Sequence, residues 1–218
     1  FYEYSQRFLE LEEKMKMEIN SCNTYSKIIN IGCVNCIYNC HLKPHISQLM
    51  NKHTNICLNV ILDHSRHLLN RLHDNSIDVC FSYLATNEIS YKCIPYKTDE
   101  IIFVTNSQNI QFSNGIHNGE ILHLPIIYSK FMPKSGFDWI HDIFPPHYVF
   151  QFTISVIKEI IPFLLQYPYY AFLPRKLIEK ELKDGLLIEI PLLDYHIPPL
   201  QSYIIMKSNA KYNPLDYF

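Results

Sequence analysis

The chain has 218 residues, enough for two lobes of about 80 to 100 residues each at typical domain sizes. Of these, 48% are apolar and 18% charged, a balance that excludes disordered and fibrous classes. The formal net charge of -2 lacks the basic excess with which proteins neutralise phosphates, so no direct hold on nucleic acid is expected of this stretch.

Residues 1–22 place Phe1, Tyr4, Phe8, Leu11 and Met15 at spacings of three and four, with Glu3, Glu10, Glu12, Glu13, Lys14 and Lys16 between them. That pattern predicts a helix with one apolar seam, which either packs on its own domain or pairs with a second copy. The alternating charges do not form the uninterrupted apolar stretch of a secretory leader. The longest apolar run, residues 161–173, is cut by Pro162, Gln166 and Pro168 and is too short to span a bilayer. No membrane partner and a cytoplasmic location are therefore expected, with the seven cysteines reduced.

From Lys27 the period changes. A β-branched run, 27–34, precedes a helical face carrying Leu42, Ile46, Leu49 and Met50; a second strand covers 56–62, a helix 65–72, and a third strand 77–83. Strand, helix, strand, helix, strand with apolar residues on both strand faces predicts a parallel sheet covered by helices, an α/β class. Two further strands, 91–96 and 100–105, lead to the polar stretch 107–115, where a lobe boundary is expected. A second series follows: a short helix through Leu124, a strand at 126–129, a helix near 136–144, a strand at 148–153, a helix near 155–166, a strand at 169–173, a helix near 175–183 and a strand at 186–192. Residues 201–207 read as a last strand. Asn213 with Pro214 reads as a helix start, a capping side chain followed by proline in the first turn.

The order of these elements, and the strings KIINIGCV, LLNRLHDNSIDVCF and FLPRKLIEKELKDGLLIEIPL, resemble the C-terminal effector-binding part of LysR-type transcriptional regulators over nearly the whole chain. The resemblance implies a two-lobed fold of the type 2 periplasmic-binding-protein kind, with two crossing strands between the lobes and an N-terminal linker helix in front. On it, residues 1–22 are the linker and dimerisation helix, 24–106 with 200–218 form the first lobe, and 107–199 the second. It further implies a homodimer or homotetramer, a small effector held between the lobes, and DNA contact only through a winged helix-turn-helix domain that normally precedes the linker and is not in this chain. Departures accompany it: Tyr167, Pro168 and Tyr169 stand where the family carries glycines after a helix, and Thr54 stands where a proline precedes the second strand. The loop after the first strand offers Asn35, Cys36, Tyr38 and Asn39 in place of Ser or Thr, so the effector's identity does not carry over.

GCVNCIYNCH, residues 32–41, has the look of a metal or redox motif. Tetrahedral zinc needs four donors converging at about 2.0 to 2.3 Å. On the resembled fold Cys33 falls in a strand, Cys36 in a loop and Cys40 at a helix start, so buried thiols, no metal and no cofactor are expected. Some members of the family sense peroxide through a cysteine pair in the second lobe, but no cysteine follows Cys93; a thiol sensor remains the alternative, with Cys36 at a helix N-terminus as its nucleophile if exposed.

Ligands of open parallel sheets bind beyond the carboxyl ends of the strands, against helix N-termini that favour anions. Three loops qualify: 35–39, the run Asp63, His64, Ser65, Arg66, and the crossover Phe152, Thr153, Ile154, Ser155. Tyr83 and Tyr128 are candidate walls, and the effector is expected to be a small anion or carboxylate. Ser65, Asn39 and Ser155 have a plainer alternative as helix caps. No nucleophile-base-orienter set or phosphate loop appears, so an enzyme is not expected; a solute-binding protein for import is the remaining class, disfavoured by the absence of a leader in the sequence given.

Overall fold

The computed structural model describes residues 4–6, 8, 9, 11, 12, 15, 16, 25, 27–129 and 139–210. The described residues of the first segment, Tyr4, Phe8, Leu11 and Met15 among them, are helical, and these four apolar side chains are exposed. Phe1, the 136–138 end of one expected helix and the expected start at Asn213 lie outside the described residues.

Two compact units divide the chain, Phe1–Pro95 with Tyr203–Phe218, and Tyr96–Ser202. The chain passes between them inside two strands, β4 (Tyr91–Asp99) and β10 (Leu200–Lys207). The expected boundary at 107–115 is displaced. β5 (Ile101–Asn106) pairs antiparallel with β8 (Tyr170–Pro174) on one side and β9 (Leu187–Glu189) on the other, so it belongs to the second unit. The polar residues after it end a strand rather than a lobe.

In the first unit the sheet order is β2-β1-β3-β10-β4, with β1 (Lys27–Cys33), β2 (Ile56–Leu62) and β3 (Val79–Ser82) mutually parallel where they pair and β10 antiparallel to β3. β1 is central, and its residues from Ile29 to Cys33 are buried on both faces, the expected consequence of an apolar run in a parallel sheet. Gly32 is a packing requirement. A Cβ there would stand 2.4 Å from Ile77 Cδ1 and 2.9 Å from Leu68 Cδ2, and both neighbours are buried. Leu68 belongs to α3 (Ser65–His73), which buries Leu68 and Leu72.

Helix follows β1 without a loop. α1 (Asn35–Ile37), a π-helical stretch (Tyr38–Leu42) and α2 (Lys43–Lys52) run consecutively, which corrects the expectation of a loop at 35–39. No side chain caps α1; the chain turns from extended Val34 straight into the helix.

The second unit is mixed, not a copy of the first. Besides β8-β5-β9, β6 (Ile127–Ser129) pairs parallel with β7 (Phe152–Ile154), and single parallel bridges join Ile126 to Tyr170 and Ile116 to Leu192. Its helices are short: α4 (Asn118–Ile121), α5 (Trp139–Ile143), α6 (Ile161–Gln166), preceded by a 3-10 turn at Ile157–Ile160, and α7 (Glu179–Lys183). The glycine-free end of α6 is reached through Tyr167 in extended conformation, φ -135°, so no left-handed residue is needed there. Arg175 joins the elements on this unit's surface, donating to Glu100 at 2.5 Å and Glu189 at 2.6 Å.

Candidate functional site

In the first unit the carboxyl edge of the parallel strands gathers several of the expected residues. Val34 N donates to Phe81 O at 3.1 Å and Asp63 N to Cys33 O at 3.3 Å, which closes the ends of β1, β2 and β3 on one another. Asp63 accepts from the His64 backbone at 2.7 Å and lies 3.1 Å from His67 Nδ1, so it fixes the turn into α3. Ser65 is not a cap. It is buried, and its Oγ accepts from Tyr83 N at 3.3 Å, tying the first residue of α3 to the end of β3. Asn35, His64, Ser65 and Tyr83 thus share one strand edge, with the N-terminal turn of α3 opening onto it; Arg66 and His64 are exposed.

The remaining expected residues of this unit behave differently. Asn39 donates through Nδ2 to Asn35 O at 2.8 Å and to Asn35 Oδ1 at 3.1 Å, which commits its amide to its own helix. Tyr38 opens the π-helical stretch and is half-buried. Cys36 faces the core with no exposure, and its Sγ lies 3.8 Å from Cys40 Sγ. The expected separation of the three cysteines therefore holds for Cys33, whose thiol donates to Val34 O at 3.4 Å, but not for the other two. Residues 36 and 40 are one helical turn apart, so a helix brings together what a loop would have kept apart. Burial, reinforced by neighbouring Cys80 and Cys36, raises the Cys33 thiol well above its ordinary pKa, and burial does the same to Cys80. Cys40 Sγ also lies within 4.8 Å of a His41 ring nitrogen, so this turn collects soft and borderline donor atoms.

The second unit holds a pocket of about 470 Å³. Tyr128 from β6 and Thr153 from β7 line it, paired across the two strands, while Phe152 points the other way and packs edge-on against Phe163 with centroids 4.9 Å apart. The rest of the lining comes from Ile140, His141, Phe144, Pro145 and the residues from His147 to Phe150. Tyr128 stacks on Phe150 at 4.4 Å and 10°, and burial raises the Tyr128 phenol above its ordinary pKa.

Sequence reasoning missed the 140–150 wall because it read 148–153 as strand. Tyr148 N instead donates to Pro145 O at 3.1 Å, a tight turn with Pro146 and His147 at its centre, and Tyr148 OH donates to Leu122 O at 2.9 Å. The signal was present in Pro145-Pro146, a turn marker. His147 sits at φ 68°, the left-handed region that few residues other than glycine adopt, histidine being, with asparagine and aspartate, among those that enter it more often.

Residues 23–215 match the family described as LysR substrate binding domain. The chain belongs to that family. No curated protein sequence matches it. Among solved structures, the LysR-type regulator CrgA of Neisseria meningitidis matches with a TM-score of 0.70 and 12% identity, over 95% of this chain and 71% of that one. The effector binding domain of BenM, solved with its effector benzoate, matches at 0.63 and 16%, over 88% and 89%. A mutant OxyR of Corynebacterium glutamicum, with one cysteine replaced by serine and solved with bound H2O2, matches at 0.63 and 17%, over 95% and 68%. At these identities the likeness is one of fold: two-lobed α/β, periplasmic-binding-protein-like, in a LysR-type effector-binding domain. Among the described residues no helix is long and apolar enough to cross a membrane.

Proposed function

We propose that the chain is the effector-sensing and oligomerisation module of a LysR-type transcriptional regulator, binding a small anionic molecule and thereby controlling a winged helix-turn-helix domain elsewhere in the protein. The observation that carries the anionic preference is the strand edge of the first unit, where the backbone donors of the α3 N-terminus stand beside Ser65, His64 and Arg66. Thr153 and Tyr128 are the second unit's contribution. Pairing between copies is supported by the exposed seam of Tyr4, Phe8 and Met15, and by apolar side chains exposed on α2 (Met50) and along 155–166 (Val156, Leu165), the surfaces that side-by-side packing would cover. Light scattering at micromolar concentration giving only monomer mass contradicts the pairing.

A thermal-shift screen of metabolites tests the effector. A ligand that binds only the folded chain stabilises it by about 2.7 kcal/mol at a hundredfold excess over its dissociation constant. Carboxylates and other anions are expected among the stabilising compounds, and Arg66→Ala is expected to weaken them without lowering the unliganded melting temperature, because Arg66 is exposed. Stabilisation by neutral and cationic compounds alone sinks the anionic reading.

A thiol-sensing reading is favoured by one contact, the 3.8 Å approach of Cys36 and Cys40 inside a helix that becomes π-helical at Tyr38, and it requires that turn to open, because Cys36 is fully buried rather than exposed. A peroxide would oxidise one thiolate to a sulfenic acid, its O–O bond breaking with release of an alcohol or water. The second sulfur would then form the S–S bond as water leaves. Peptide mass spectrometry after peroxide treatment decides: a peptide lighter by two hydrogens and absent in Cys40→Ser supports it, and unreacted thiols in the folded protein exclude it.

A further inference from the structure

The pocket of the second unit has three properties that the effector reading does not use. Its wall is aromatic: Tyr128, Phe144, Tyr148 and Phe150 all line it, and Phe144 and Tyr148 each stand 4.9 to 5.0 Å from the Phe150 ring. Among its described lining residues none is Asp, Glu, Lys or Arg; their polar groups are the two imidazoles of His141 and His147 and the Thr153 and tyrosine hydroxyls. Its volume of about 470 Å³ lies within the range of small-molecule sites, and a cavity of about 150 Å³ already admits benzene.

The third property is His147. Pro145 to Tyr148 form a turn closed by the Tyr148 N to Pro145 O bond, with Pro146 at its second position and His147 at its third with φ 68°. A turn of this kind calls for glycine at the third position. A side chain held there strains the backbone, and strain of this sort persists where the side chain has a task. Here the side chain lines the pocket.

We infer that this pocket takes a flat, uncharged aromatic ring against the Tyr128 and Phe150 wall, with His147 held in a strained turn to hydrogen-bond the polar edge of that ring. Assigning the ring to the regulator's effector rests on the effector-sensing reading above and makes it the uncharged part of an anionic effector; the binding itself does not rest on that reading. A neutral ring suits the described wall, which offers no carboxylate, ammonium or guanidinium to pair with a buried charge. Ring stacking adds selectivity over a saturated ring of the same size.

Benzamide and cyclohexanecarboxamide are matched probes, both neutral and differing in aromaticity. Trp139, the single tryptophan, is buried next to Ile140 of the wall and reports occupancy by its fluorescence; calorimetric titration supplies affinities. Benzamide is expected to bind saturably and roughly threefold to tenfold more tightly than its saturated partner, a preference that Tyr128→Leu reduces. His147→Gly is the decisive variant. It should leave the unliganded melting temperature unchanged or raise it, since the turn loses its strain, while weakening benzamide binding. Equal binding of the two probes, no binding of benzamide up to its solubility, or full affinity in His147→Gly overturns the inference. If anions stabilise the chain while benzamide does not bind, the ring assignment falls and the effector reading stands. Should benzamide bind while no metabolite shifts the melting temperature, the effector reading falls and the pocket stands.

Discussion

Asp78→Ala is expected to loosen the first unit from its centre. Asp78 Oδ2 accepts from Asn30 N at 2.7 Å and from Asn30 Nδ2 at 3.0 Å, and its own backbone N donates to Asn30 O at 2.8 Å. Asn30 sits in the middle of β1 at 4% exposure and also accepts, through Oδ1, from Asn59 Nδ2 at 3.3 Å, so one carboxylate satisfies buried donors in a network across three strands. Hydrogen bonds to a charged acceptor contribute about 1.5 to 3 kcal/mol each, and a buried donor left without a partner costs about 1 to 3 kcal/mol. Because the two bonds share one oxygen they are not fully additive, and the loss is about 3 kcal/mol. For a chain of this size that corresponds to a fall of roughly 6 to 12 °C in melting temperature. Asp78→Asn retains an acceptor oxygen and should lose about a third as much. Scanning calorimetry measures the shift, and hydrogen exchange should show faster loss of the Asn30 amide proton in the alanine variant. A melting temperature within about 2 °C of wild type for Asp78→Ala, together with unchanged protection at Asn30, would refute the reasoning.

Gly32→Ala should cost about 1 to 3 kcal/mol by overpacking, since its new methyl meets Ile77 and Leu68 in a filled interior; urea denaturation checks it. Arg175 holds the Glu100 carboxyl below the usual carboxylate range, chiefly through their hydrogen bond, so the pair's contribution is present above the unfolded glutamate pKa and is lost as pH falls through the folded one. Arg175→Gln should therefore return the Glu100 titration, followed by carboxyl NMR, to the ordinary range and flatten the pH dependence of stability on the acid side; an unmoved Glu100 titration contradicts the assignment. Ser65→Ala should destabilise the unliganded protein by about 1 kcal/mol, seen as a slightly lower melting temperature, through loss of the Tyr83 bond rather than of a helix cap.

The strings that carried the resemblance prove to be those with a structural task. KIINIGCV is the doubly buried central strand, with Gly32 where α3 and Ile77 close in, and the aspartate of LLNRLHDNSIDVCF is the partner of Asn30. These signals are local, and a periodicity argument reaches them. Three features were not legible for the opposite reason. The helix at Asn35 starts without a capping side chain or proline, so nothing in the sequence separates it from a loop. The apolar run of β5 suits either unit, and only its pairing with β8 and β9 decides. The pocket needs Tyr128 and Phe150 to stack across 22 residues of chain, a tertiary contact that alternation within 148–153 obscured.

The proposal that this chain holds a small effector at its strand edges is tested most directly by hydrogen exchange with and without a compound that stabilises it. New protection is predicted at residues 63–66 and 82–84 in the first unit and at 127–129 and 152–155 in the second, where backbone donors and the expected side chains lie. Protection confined to the N-terminal segment, or a stabilised protein with no change at any of these four stretches, would contradict it.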